Sequence, residues 1–323
     1  MVTTVLDGHR VAVTAGKDAA CVWDLTDGSC SGEISVGAME DMAIVPFGNR
    51  PAVAVLGHDS RRVGLWDLAA GHHVSDLPAE DTQAVAVVMI DACPVVVTGH
   101  EDCTVRLWDL TTCRQIGSPL VGHTTWVAHV ATAMVDGRAV AITGGGMDLD
   151  HDWDEKIRIW DLTEGRQLTS FPTADGPVSA IAVMTLGGRP VVVAGYWDGR
   201  LELWDMTTGQ ALRAWQAESL TDLLYRPAGV SALQTMVLRG RTVVLAGHDD
   251  GTLRIWDVAT DEQTGPTLQL PICEGASARQ RSLGARRRRV RLAIGPEGGL
   301  VACAGQEVAL LYYGGTAQGC DSA

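Results

Sequence analysis

The sequence predicts an all-β fold of small sheets packed radially, a seven-bladed β-propeller, and three observations carry that expectation. Trp-Asp occurs six times, at Trp23, Trp66, Trp108, Trp160, Trp204 and Trp256, with spacings of 43, 42, 52, 44 and 52 residues, a repeat no random chain shows. Each pair closes a short alternating segment such as Val105-Arg106-Leu107-Trp108, the period of a half-buried strand. Upstream of each lies a Val- and Ala-rich run ending at a turn, as in VVVTGHED or VVLAGHDDG, preceded by an apolar stretch such as AVAVVMI that closes in DACP, DGR, GGR or RGR.

The repeating unit is therefore an apolar strand, a tight turn, a buried strand, an acidic turn, a Trp-ending strand and a more polar fourth strand such as GRQLTSF. One such sheet cannot cover both of its faces, whereas radial packing buries each face against a neighbour. In order, the blades are expected at approximately 1–36, 37–80, 81–122, 123–174, 175–226, 227–275 and 284–323, in one domain, with a basic linker at 276–291 leading into the last. The long spacing before Trp160 reflects an insert of seven residues between the second and third strands of blade 4, because Gly144 to Trp160 spans 16 residues and Gly99 to Trp108 spans 9. That before Trp256 lies in the connection from blade 5 to blade 6. The last blade has three strands in RVRLAIGPEGGLVACAGQEVALLYY, with Tyr312 or Tyr313 where a Trp is due. The following GGTAQGCDSA is poor in β-formers, so this blade is expected to be degenerate and incomplete, with an edge open to self-association.

Composition narrows the class. The longest apolar run, Ala84 to Ile90, has seven residues, against about 18 for a membrane span. The opening MVTTVLDGHR lacks the basic and apolar regions of a secretory leader, and the expected location is cytoplasmic. A net charge of −14 opposes general binding to phosphate backbones. The eight cysteines include no C-x-x-C pair and read as reduced thiols; a strand separates Cys93 from Cys113, which disfavours a bridge there.

These units resemble the WD40 repeat, closest in style to bacterial WD40 domains with D-G-R-P-type turns, over nearly the whole chain. In that family a His, a Ser or Thr, the Trp and an Asp of the acidic turn form a structural hydrogen-bond network in each blade. The resemblance places His123, Thr143, Asp154 and Trp160 in that network in blade 4, Thr98 and Asp102 with Trp108 in blade 3, Asp198 with Trp204 in blade 5 and Asp250 with Trp256 in blade 6. Asp81 then stands in the His position of blade 3, and Ala194 and Ala246 in the hydroxyl positions of blades 5 and 6. The resemblance implies a non-catalytic protein-interaction scaffold or sensing propeller, able to form part of a larger regulatory protein, with no cofactor and no bound metal.

Several segments stand outside the repeat. The blade 4 insert places Asp148, Asp150, Asp152 and Asp154 at every second position, the spacing that opens a calcium loop. Trp153 stands where such a loop needs Gly and Ile159 where it needs Glu, so calcium, a solvated acidic loop and a partner-binding loop all stay open. Trp126, Trp153, Tyr196, Trp197 and Tyr225 fall in loops expected at one end of the ring. Aromatics there favour a protein or peptide with apolar and basic residues. His58, His100 and His248 follow Gly in equivalent turns and read as exposed turn residues, too far apart for one metal. Arg279 to Arg291 holds seven arginines and no acid, a solvated loop, a patch for an acidic partner or a nucleic-acid contact. No G-x-S-x-G, G-x-x-x-x-G-K or H-E-x-x-H motif occurs. An enzyme with its site at the channel mouth and a nucleic-acid-binding propeller using the Arg segment remain the alternatives.

Overall fold

The structure is a computed structural model and describes residues 1–15, 19–36, 39–47, 50–57, 62–147, 153–173, 176–216, 228–270, 290–294, 300–304 and 307–311. Those residues form seven antiparallel sheets, each running outward in chain order. The first holds β1 (Val2–Leu6), β2 (His9–Ala15), β3 (Ala20–Asp24) and β4 (Cys30–Ile34). The second holds β5 (Met39–Phe47), β6 (Arg50–Gly57), β7 (Val63–Asp67) and β8 (His72–Leu77). Next come β9 (Thr82–Ile90), β10 (Cys93–His100), β11 (Thr104–Asp109) and β12 (Arg114–Val121). The fourth sheet is β13 (Val127–Val135), β14 (Arg138–Gly145), β15 (Lys156–Asp161) and β16 (Arg166–Pro172). The fifth is β17 (Val178–Leu186), β18 (Arg189–Tyr196), β19 (Arg200–Asp205) and β20 (Ala211–Gln216). In the sixth, β21 (Val230–Leu238), β22 (Arg241–His248) and β23 (Thr252–Asp257) are followed by a split outer strand, β24 (Glu262–Gln263) and β25 (Leu268–Gln269), both paired to β23. The seventh has β26 (Val290–Ile294), β27 (Leu300–Ala304) and β28 (Glu307–Leu311).

The all-β propeller stands, but the expected seven blades are corrected to five complete ones among the described residues. Five sheets are complete four-stranded blades, whereas the sixth splits its outer strand and the seventh has three strands among the described residues. In the sixth sheet the cause is local. Gly265 takes a φ of 75° and Pro266, lacking an N–H, interrupts the ladder between β24 and β25. Tyr312 and Tyr313 lie outside the described residues.

Composition follows position in the sheet. Second strands are buried on both faces, so β10 is buried from Val95 to His100 and reads as an unbroken apolar run, while β12 is exposed from Arg114 to Pro119. The inner strands are neighbours in turn: β9 packs between β5 and β13, β17 between β13 and β21, and β26 touches both β21 and β1. Side chains tie them as well, with Thr132 donating to Val87 O (2.6 Å) and Thr235 to Val183 O (3.1 Å).

Apolar packing is a ring of clusters between sheets. Trp108 packs with Val45, Leu65 and Leu77 of the preceding sheet, and Trp160 with Val88, Val97 and Leu120 of the sheet before it. Trp204 stacks on Phe171 at 5.7 Å, and Trp256 on Trp215 at 5.9 Å. Trp215, which lies outside the repeat pattern, is therefore a core residue. Met1 and Ala12 of the first sheet cluster with Ala293 on β26, which joins the seventh sheet to the first. Cys21, Cys30, Cys93, Cys103 and Cys113 are free thiols. No helix among the described residues is long and apolar enough to cross a membrane.

Candidate functional site

An indole buried between sheets still carries an N–H that needs an acceptor. In the fourth sheet Trp160 Nε1 donates to Thr143 Oγ1 (2.8 Å), which donates to His123 Nε2 (2.6 Å), and His123 Nδ1 donates to Asp154 Oδ2 (2.7 Å). Asp154 Oδ2 also accepts from Thr124 N (3.0 Å) and from Arg158 Nη1 (2.6 Å). The structure thus joins His123, Thr143, Asp154 and Trp160, and adds a buried Arg158 that sequence reasoning missed. Burial holds the His123 imidazole below its ordinary value and therefore neutral at pH 7. For Asp154 burial alone would raise the carboxyl, but His123, the Thr124 N–H and Arg158 outweigh it and keep the group below its usual range. With side-chain exposures of 0% for His123 and 2% for Asp154, this pair is sealed from solvent within the sheet.

The third and fifth sheets solve the same problem differently, the sixth leaves it unsolved, and several expectations fall. His100 and His248 are 1% and 0% exposed, so they are core residues and not exposed turn residues; His58 lies outside the described residues. In the third sheet Thr98 accepts from Trp108 Nε1 (2.7 Å) and pairs with His100 Nε2 (2.7 Å), while His100 Nδ1 meets Glu80 O (2.8 Å). His100 therefore does what Asp81, in the expected His position, does not. In the fifth sheet Tyr196 is 1% exposed, and its hydroxyl donates to Glu202 Oε2 (2.6 Å), which also accepts from Trp204 Nε1 (3.3 Å). Tyr196 is thus removed from the partner-binding group, because it ends β18 pointing into the sheet stack. Asp102, Asp198 and Asp250 bond instead to the start of the third strand, through Thr104 N (3.2 Å), Arg200 N (3.0 Å) and Thr252 N (2.9 Å).

In the sixth sheet Ala246, His248 and Trp256 repeat the spacing of Thr98, His100 and Trp108, but the hydroxyl is missing. His248 Nδ1 meets Ala228 O (3.1 Å), while His248 Nε2 and Trp256 Nε1 are both buried without a partner among the described residues. Threonine at 246 should bridge the two and stabilise the ring by about 1 to 2 kcal/mol. Valine has the same shape without the hydroxyl and is the control. If Ala246→Thr melts no higher than Ala246→Val, the bridging account fails.

The candidate interaction face lies at the ring end where connections into inner strands meet turns between second and third strands. Backbone bonds tie these loops in three sheets, Glu101 N to Asp81 O (3.0 Å), Gly146 N to Trp126 O (2.8 Å) and Asp249 N to Gly229 O (2.9 Å). Trp126 is half-buried against Gly146, where a side-chain carbon would fall 1.5 Å from its Nε1, so only glycine admits the ring. Trp153 is half-buried and forms an antiparallel bridge with Met147, closing the base of the insert. Trp197, one residue past the buried Tyr196, is 43% exposed in the next sheet's turn. Glu101, Asp102, Glu155 and Asp250 stand exposed at this end. Asp148, Asp150, Asp152 and Tyr225, and the Arg residues from 279 to 289, lie outside the described residues. Among the described residues, no three His, Cys, Asp or Glu side chains gather as metal ligands.

The family model for the WD domain, G-beta repeat, matches residues 70–109 and 227–257, which hold the Trp108 and Trp256 units just described. The chain is a WD40-repeat propeller. Its networks show how WD40 units that have lost the loop histidine or the strand hydroxyl still seat their tryptophan, by a strand-end His in one sheet and a Tyr–Glu pair in another. No curated protein matches the chain.

Proposed function

We propose that this WD40 propeller is a non-catalytic, cytoplasmic protein-interaction scaffold, with the split sixth and three-stranded seventh sheets completing its ring. Its binding face is the loop end over the fourth and fifth sheets. The observation that carries this reading is Trp197, a large aromatic left 43% exposed at the ring end that also holds the half-buried Trp126 and Trp153 and the exposed Glu155. Such aromatic anchors ringed by carboxylates fit a protein or peptide with apolar residues next to Arg or Lys. Affinity capture from a lysate of the source tests it. Trp153→Ala with Trp197→Ala should abolish capture and leave the melting curve unchanged, since neither seats a sheet. Capture that survives the double substitution would assign binding elsewhere.

A further inference from the structure

The first sheet carries two thiols on one face. Trp23 on β3 stands directly opposite Cys30 on β4, and Cys21 stands opposite Glu33. Opposed residues share a face of an antiparallel pair, as do residues two apart on one strand, which puts Cys21, Trp23, Cys30 and Glu33 on the same side. Ala20 and Val22 take the other side and pack with Met42 and Leu68 of the second sheet. Trp23 packs with Met1 and Ala293, so the thiol face is the one turned toward the seventh sheet.

A diagonal pair in a regular ladder is too widely spaced to react, with about 7 to 8 Å between the residues. The ladder is irregular here. Val22 pairs with Gly32 and Trp23 with Cys30, so Ser31 is an extra residue on β4, a bulge that bends the strand and re-aims its side chains. The Cys21 and Cys30 thiols come within hydrogen-bonding reach of each other. The second sheet shows the same approach: a side-chain carbon at Gly64, the position matching Cys21, would lie 3.7 Å from His73 Nε2, and His73 opposes Trp66 as Cys30 opposes Trp23. Among the described residues β4 pairs only with β3, so this outer strand can follow the shorter contact that a sulfur-sulfur bond needs.

The two thiols differ in access. Cys30 is exposed and Cys21 half-buried. Burial first, then the Cys30 thiol and the Glu33 carboxylate, push the Cys21 thiol above its ordinary value. A reagent therefore meets Cys30 first, and Cys21 answers second.

We propose that Cys21 and Cys30 form a thiol-disulfide exchange site, oxidised by a small-molecule disulfide, whose bridge fastens the outer strand of the first sheet. The Cys30 thiolate attacks one sulfur of the reagent, forming a mixed disulfide on Cys30 and releasing the other half, which takes up the proton that Cys30 lost. The Cys21 thiolate then attacks Cys30 Sγ, the mixed disulfide breaks, and the second half leaves as a thiol with the proton from Cys21. The protein gives up two electrons and two protons, and the reagent becomes two thiols. Excess thiol reverses both steps. Bridges that are exposed or strained are the readily reduced ones, which makes this site a switch and not a permanent staple.

Oxidised glutathione added to the full chain under inert gas tests this. Proteolytic cleavage before Asp24 and Asp27 separates the two cysteines, so peptides that stay joined until reduction report the bridge. Wild type should give the joined peptides in about tenfold excess over Cys30 carrying glutathione, because the second thiol is already in place. Cys21→Ser should instead accumulate the glutathione adduct at Cys30. Cys93→Ser should leave the yield unchanged, although Cys93 is also exposed. The bridging step should quicken as pH rises toward the raised value of Cys21, since only its thiolate attacks. On oxidation, hydrogen exchange should slow in β3 and β4 and stay as it was in β21 to β23. The proposal is overturned if wild type accumulates the adduct at Cys30 as Cys21→Ser does, if the joined peptides form only in denaturant, or if the bridge leaves exchange in β3 and β4 unchanged.

Discussion

Cutting Trp108 to alanine should destabilise the ring by about 3 to 5 kcal/mol, the usual cost of emptying a buried aromatic site. Trp108 is 3% exposed and holds the second sheet against the third through Val45, Leu65 and Leu77, so its loss opens a cavity between sheets. It also strips Thr98 of the donor that orders it and His100. Because stability in stacked repeats is shared between neighbours, hydrogen-exchange protection should fall most in β5 to β16 and least in β21 to β23. Trp153, half-buried in the insert, seats no sheet, and Trp153→Ala should lower the melting temperature far less. Equal melting temperatures for the two variants would contradict both assignments.

Much of this fold is legible from the chain because the repeat Trp marks a packing requirement that recurs at fixed register. Three of the residues whose burial the sequence hides lie at one place, the last position of the second strand. His100, Tyr196 and His248 follow Gly and precede an acidic turn, a context that reads as loop, yet β10, β18 and β22 extend through them. Period-2 alternation was the available signal: each lies two residues after Thr98, Ala194 or Ala246 and so shares its inward face. Trp197, a single residue later, points out for the same reason. The buried charge of Arg158 has no counterpart in the repeat pattern, because it depends on what a neighbouring loop covers.

That dependence on cover gives the sharpest stability test. Asp102 and Arg106 in the third sheet and Asp154 and Arg158 in the fourth are the same pair at the same spacing. The third-sheet pair is open, with side-chain exposures of 48% and 25%, whereas Asp154 and Arg158 are 2% and 7% exposed beneath His123. An exposed pair contributes about 0 to 1 kcal/mol, because water screens it and holding two long side chains costs entropy. A buried one behaves differently when a single partner is removed. Asp154→Ala leaves the Arg158 guanidinium buried without its carboxylate, deprives His123 Nδ1 and the Thr124 N–H of their acceptor, and frees Lys156 N, which bonds Oδ1 at 3.1 Å. The expected cost is about 3 to 5 kcal/mol, against under about 1 kcal/mol for Asp102→Ala. Adding Arg158→Met to Asp154→Ala removes the stranded charge and should recover part of the loss, while Arg106→Met added to Asp102→Ala should change little. Denaturant midpoints of the four variants decide the matter: equal losses for Asp154→Ala and Asp102→Ala, or no recovery on removing Arg158, would show that the loop bearing His123 does not seal this pair from water.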